Sequence, residues 1–196
     1  MKKQEKFKKI TITTLSLFIL LTLFVFLNQK QPFNLDQIVN TFTYPSQLLP
    51  FLEFISSITE ELIIGIAGIF LFIYLRIKNK NKESWYALIV LLGAILVKVL
   101  KLAISRARPE SIDYQSFPSG HVTMVTIFCS VLYLTIIKDI KNKTTKTIST
   151  ATIIILPILV AISRLALNHH WFTDTIAGFL LGISVSLIGY SYISKK

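Results

Sequence analysis

Cysteine is almost missing from this chain: Cys129 is the single one in 196 residues. It has no partner in the chain, so a disulfide framework is excluded, and no zinc site with paired cysteines can be built. Set mid-run between Phe128 and Val131, it reads as a small buried apolar residue. Charge is scarce as well, at 16% of residues against 53% hydrophobic ones, with a mean hydropathy of +0.63. A soluble domain is not this apolar, so the composition is that of a polytopic membrane protein. Acid is the scarcer sign, with 10 Asp and Glu facing 21 Lys and Arg, for a net charge of +11. Such a balance can signal nucleic acid. Here, however, the lysines fall in short clusters between apolar runs, which orients a protein in a membrane and does not line a nucleic-acid groove. Internal repeats and low-complexity segments are also lacking, so residues 1–196 are read as one domain.

Six apolar runs are each close to the ~20 residues that a bilayer core requires. Their approximate limits are 10–27, 57–77, 85–104, 119–137, 147–167 and 171–193, which predicts an all-α bundle of six transmembrane helices. The first run follows Lys-rich residues 1–9 and resembles a signal peptide. It is long for one and lacks a small-residue cleavage site, so it is read as a retained span. Fifteen of the 21 Lys and Arg fall in four segments: the N-terminus, Arg76–Lys82, Lys138–Lys146 and the tail at Lys195 and Lys196. The positive-inside rule makes these cytoplasmic, along with both termini, in the cytoplasmic membrane. The other ends of the runs are then extracytoplasmic.

Between the first two runs, Leu35, Ile38, Val39 and Phe42 recur at helical spacing, and Phe51–Ile55 is apolar but too short to cross. One or two interfacial helices, or a loop packed on the bundle, fit residues 28–56. Ser57 and Glu60 have the spacing of a capping box opening the second span, with Glu60 and Glu61 in its first turn. Pro157 predicts a kink in the fifth span, and Gly178 with Gly182 a face for close helix packing in the sixth.

Polar chemistry concentrates in three stretches, all at extracytoplasmic ends of runs: Lys101–Pro109, Pro118–His121 and Ser163–Asp174. Charge placed near a bilayer is costly and usually functional. His170 and Asp174 stand four apart, one face of a helix, where a carboxylate can orient an imidazole as nucleophile or base. Such a pair alone is more often a structural hydrogen bond. Arg164, across a short turn, brings a cation to the same point. Pro118-Ser119-Gly120-His121 reads as a helix start: Ser119 is a natural N-cap, Gly120 admits close approach of a ligand, and the free N–H groups attract an anion. His121 in that first turn is placed to donate a proton. Lys101 and Arg108 offer a point charge and a planar fork for phosphate oxygens. Lys98 is read as snorkelling, Trp171 as an interface anchor, and Arg106 is given no role.

In order, K-x(6)-R-P, P-S-G-H and S-R-x(5)-H-x(3)-D resemble the signature of the type-2 phosphatidic acid phosphatase superfamily, with every motif position matched. The six-span layout is similar to bacterial lipid phosphate phosphatases. The resemblance implies that His170 attacks phosphorus, Asp174 orients it, and His121 protonates the leaving oxygen and then helps activate water. It implies that Lys101, Arg108, Ser119, Gly120 and Arg164 bind the phosphate, with His169 out of register. It implies a lipid phosphate as substrate within membrane lipids, undecaprenyl diphosphate or phosphatidylglycerol phosphate among them. No metal or other cofactor is expected: a two-metal site needs clustered carboxylates, and Asp174 is the single acid within a motif. No nucleic-acid partner is expected either. A lipid phosphotransferase would use the same groups with another acceptor. A transporter or anion channel would not require the His–Asp pair with a second histidine. A vanadate-binding oxidase shares the motifs but not the six spans.

Overall fold

The computed structural model describes residues 2–28, 30–110 and 115–194; the tail lysines Lys195 and Lys196 lie outside them. The described chain is all helical. In order the helices are α1 (Lys2–Leu27), α2 (Asn34–Asn40), α3 (Leu49–Ile58), α4 (Glu61–Ile77), α5 (Asn81–Ala87), α6 (Ile89–Ile104), α7 (Gly120–Thr135), α8 (Lys143–Ala166) and α9 (Phe172–Ser194). Among the described residues, five stretches are long and apolar enough to cross a membrane: Glu5–Leu27, Asn81–Ile104, Gly120–Asp139, Lys143–Ala166 and Phe172–Ile193. Each coincides with a run expected to span. The run at 57–77, expected as one span, differs: Ser46–Ile58 and Glu61–Ile77 pass the same length and hydropathy test only together, and they are bent by 50° at their break.

That bend removes the expected capping box. Ser57 belongs to α3, and its hydroxyl donates to the Phe54 carbonyl at 2.9 Å. A residue inside a helix cannot cap the next one, and Glu60 stands at the start of α4 with no side-chain cap bond. Thr59 closes α3, its hydroxyl donating to the Ile55 carbonyl at 2.6 Å. The polar groups at the break are thereby partly satisfied within the fold, as an apolar surrounding demands. α8 runs unbroken through Pro157.

α7 lies at the centre, its Val122, Met124, Val125, Ile127 and Val131 fully buried. α9 packs against it through the two glycines. A Cβ on Gly178 would come 3.0 Å from the Ser119 carbonyl oxygen, and one on Gly182 would come 2.7 Å from Thr126 Cβ. The small-residue face thus lets α9 approach α7 closely. This contact fixes the distance between the start of α7 and the start of α9, where two of the three polar stretches lie. Gly182→Val should force the helices apart. Overpacking of this kind costs about 1–3 kcal/mol, so a lowered thermal unfolding midpoint in detergent is expected; an unchanged midpoint would show that the contact is not tight.

Candidate active site

Three chain reversals bring the polar stretches together. α6 ends at Ser105, whose φ of 49° is left-handed and whose N–H closes on the Lys101 carbonyl at 2.9 Å. This helix stop turns the chain so that Arg106 enters the bundle. α7 starts at Gly120 after Ser119, which is extended. α8 gives way at Asn168, also left-handed with φ 55°, and His169 N–H returns to the Arg164 carbonyl at 3.0 Å. The backbone N–H of Ser119 then donates to the Asp174 carbonyl at 3.0 Å, which ties the starts of α7 and α9 to each other.

His170 is buried, 1% exposed. Its Nδ1 faces Asp174 Oδ2 at 3.6 Å, a contact too long for a hydrogen bond. The expected helical register between them is not what joins them: α9 begins at Phe172, so His170 precedes it in a turn. Asp174 instead reaches back, accepting the Trp171 N–H on Oδ2 at 2.9 Å, and Ser116 donates its hydroxyl to the same oxygen. Burial pushes the His170 imidazole down to about 4 from its usual 6.5; Asp174 opposes this, while Arg164 and Lys101 add to it. His169 is held down to about 4 as well, by burial and then by Arg164 and Arg108. Both rings are therefore neutral at pH 7, with lone pairs available, and gain a proton only as the pH falls toward 4. With three histidines in the chain, NMR of 13C-labelled imidazoles is practicable. Midpoints for His169 and His170 well below 6.5 are expected, and ordinary midpoints would remove the burial argument.

His121 is in the first turn of α7 and feels the charges of Arg164, His170, Lys101 and His169. Arg164 is 5% exposed, and its Nη1 donates to the Ser56 hydroxyl of α3. Arg108 is near enough to repel it, and Glu110, Glu61 and Glu60 attract it. The Ser119 hydroxyl makes no cap bond and is buried with no hydrogen-bond partner in the protein, as is Arg164 Nε. Buried polar atoms in that state are costly and point to a ligand. Gly120 is where the carboxylate of Glu61 lies: a Cβ there would fall 1.7 Å from Glu61 Oε1 and 3.1 Å from Lys101 Nζ. Glu61 Oε1 and Lys101 Nζ are 2.9 Å apart. One carboxylate thus rests between the glycine and the lysine, where an anion fits.

His169 faces outward from this cluster, Nε2 at 3.1 Å from Glu110 Oε1. Lys98 is exposed. Trp171 Nε1 donates to the Ala107 carbonyl at 2.8 Å, pinning the loop after α6 to the start of α9. Among the residues that escaped the sequence reading are Asp36, Ser56, Glu61 in its contact with Lys101, Ser116, and above all Arg106. Arg106 is fully buried, with Nη1 2.6 Å from Asp174 Oδ1 and Nη2 2.7 Å from Asp36 Oδ2. The available signal was a third cation only two residues before Arg108. Among the described residues, no three His, Cys, Asp or Glu side chains gather as a metal site would require. A cavity of about 670 Å³, lined by Thr126, Cys129, Tyr133, Ile154, Pro157 and Phe179 among others, lies farther along the bundle and holds none of the site residues.

Fold and site define a class: helical membrane proteins with a cationic pocket and a buried histidine at one end of the bundle. The sequence model of the PAP2 superfamily matches residues 82–196, and the chain belongs to that superfamily. Phosphatidylglycerophosphatase B of Bacillus subtilis (strain 168) is 33% identical over 115 residues, 52% of this chain and 55% of that protein. The match spans about half the length of that relative. The crystal structure of a transmembrane PAP2-type phosphatidylglycerolphosphate phosphatase from Bacillus subtilis is similar at TM-score 0.71 and 21% identity, over 94% of this chain and 96% of that one. That of Aquifex aeolicus LpxE is similar at TM-score 0.61 and 24% identity, over 81% and 93%. The first likeness, over 94% of this chain, extends the shared fold beyond the residues that the family model matches.

Proposed function

We propose that the chain is an integral membrane phosphatase that hydrolyses lipid mono- or diphosphates through a phosphohistidine. The observation that carries this reading is the buried neutral His170 beside an anion pocket of Lys101, Arg164, Ser119 and the start of α7. Phosphoryl transfer asks mainly for positioning and charge stabilisation, which this pocket supplies.

The phosphate takes the place of the Glu61 carboxylate at Lys101 and Gly120, and its other oxygens face Arg108, Arg164 and the Ser119 hydroxyl. Nε2 of His170 attacks phosphorus in line. The Nε2–P bond forms as the bond from phosphorus to the lipid oxygen breaks, and His121 gives that oxygen a proton. The positive charge left on His170 is met by Asp174, whose contact tightens from the 3.6 Å of the free protein. Water then attacks phosphorus, its proton passes to His121, and the Nε2–P bond breaks.

The apolar helices around the pocket favour a substrate that stays in the bilayer. Phosphatidylglycerol phosphate is favoured by the name of the Bacillus subtilis relative, and undecaprenyl diphosphate rests on the family resemblance alone. The lysine clusters favour a cytoplasmic membrane with both termini inside and His170 outside. Release of inorganic phosphate from a lipid phosphate panel, by purified protein in vesicles without added metal, tests the activity. No release from any of them would overturn it, and transfer to a second lipid would make the protein a phosphotransferase. A cysteine at Lys141 in a chain lacking Cys129 should be labelled from the cytoplasmic side; labelling from outside alone would invert the topology.

A further inference from the structure

Arg106 and Asp36 form a buried ion network that the proposed chemistry does not use. Arg106 and the carboxylates of Asp36 and Asp174 are all fully buried. Every nitrogen of the guanidinium donates. Nε reaches the Lys30 carbonyl at 3.2 Å, Nη2 the Gln31 carbonyl at 3.2 Å and Asp36 Oδ2 at 2.7 Å, and Nη1 the Thr173 hydroxyl at 2.7 Å and Asp174 Oδ1 at 2.6 Å. Phe33 and Trp171 rings flank it, 5.8 Å and 5.9 Å from the guanidinium carbon. Asp36 completes the ring: Oδ1 accepts the Thr173 N–H at 2.8 Å, and Oδ2 the Thr173 hydroxyl at 2.9 Å.

The cost of burying three charges is large, and apolar residues of similar volume often serve stability as well or better. The network has a geometric result that apolar packing cannot supply. Arg106 occupies Oδ1 of Asp174, so the carboxylate cannot rotate, and Oδ2 is the oxygen left toward His170. Asp36 sits on the other side of the guanidinium and on the first turn of α9, which locks both at once. Two carboxylates against one guanidinium also leave the network one negative charge, matched to the positive charge that His170 gains when phosphorylated.

We propose that Arg106 and Asp36 are positioning residues that hold Asp174 in register with His170, so that α2 serves the active site although it lies outside the residues matched by the PAP2 family model. This rests on the reading of His170 as nucleophile. Neither residue touches the phosphate pocket, so their loss should lower kcat and spare anion binding.

The test compares Arg106→Lys, Arg106→Gln, Asp36→Asn and Thr173→Val. Vanadate titration counts intact pockets, and kcat is expressed per pocket. Arg106→Gln should lower kcat per pocket by about 10²-fold, the scale of one lost preorganised donor, with KM and vanadate affinity within about threefold of wild type. Arg106→Lys, which keeps the charge and one contact, should recover part of the loss. Asp36→Asn and Thr173→Val, which each remove one arm and keep the packing, should lower kcat by about three- to tenfold; they stand in if Arg106→Gln does not fold. Unchanged kcat per pocket in the folded variants would overturn the proposal, as would a loss explained wholly by fewer vanadate-binding pockets.

One arm is independent of turnover. His170 is faced by Asp174, Arg164, Lys101, His121 and His169. Removing the Arg106 cation leaves the carboxylates less neutralised, so the His170 NMR midpoint should rise from about 4 in Arg106→Gln. An unmoved midpoint would mean that Arg106 does not act through Asp174. If wild type releases no phosphate, the functional reading fails, while this titration still decides the network.

Discussion

Replacing His170 with alanine should abolish turnover and any covalent phosphoenzyme while leaving phosphate binding in place. His170 is the histidine whose Nδ1 faces Asp174, and Lys101, Arg108 and Arg164 remain to hold the anion. His169, turned toward Glu110, should tolerate alanine with near-normal activity. Asp174→Asn should misorient His170 and cost about 10²–10⁴-fold in kcat, as in other oriented His–Asp pairs. His121→Ala should lose less on a nitrophenyl phosphate, whose leaving group needs no proton, than on a lipid phosphate. The measurement is labelling with radioactive lipid phosphate, alkaline denaturing quench and phosphoamino-acid analysis. Label on His169, or turnover by the His170→Ala protein, would remove His170 from the role of nucleophile.

The second large effect is expected at Arg164. Its Nη1 is held by Ser56 and its Nε is buried without a protein partner. The guanidinium is therefore already oriented before substrate arrives, the condition under which a donor contributes most to a transition state. Arg164→Lys keeps the charge but not the fork. A fall in kcat of about 10²–10³-fold is expected, the range seen for one lost preorganised donor. Arg108→Lys should fall in the same direction. Near-normal turnover in both would take the two arginines out of the phosphate clamp. Lys98→Met, at an exposed position, should be mild. Steady-state kinetics with one lipid phosphate in mixed micelles separates these cases.

The helical membrane class was readable from hydropathy alone, because a helix crossing a bilayer must be apolar over its full length. Five spans appear within a few residues of the runs that predict them. The run at 57–77 holds α4 from Glu61 and the end of α3, which meet at a 50° bend. The break at Thr59 and Glu60 carries neither proline nor glycine, so local sequence does not mark the bend. The close approach of α7 and α9 was readable in Gly178 and Gly182, since only a missing side chain admits it.

The residue types for phosphate chemistry were likewise present in three short stretches, each set by local spacing. How they are held was not. Asp36 meets Thr173 across 137 residues of sequence, and Arg106 meets Asp174 across 68. Arg106 has no role in the sequence reading, and Asp36 is not singled out there. Whether a charge is solvated or buried against a partner depends on which elements close over it, and local sequence does not carry that. The same holds for Glu61 on Lys101 and Ser56 on Arg164. By itself the sequence determined where the helices run and which groups could do chemistry. The tertiary structure decided which carboxylate faces which cation, because a buried ion pair exists only once folding has removed the water from both partners.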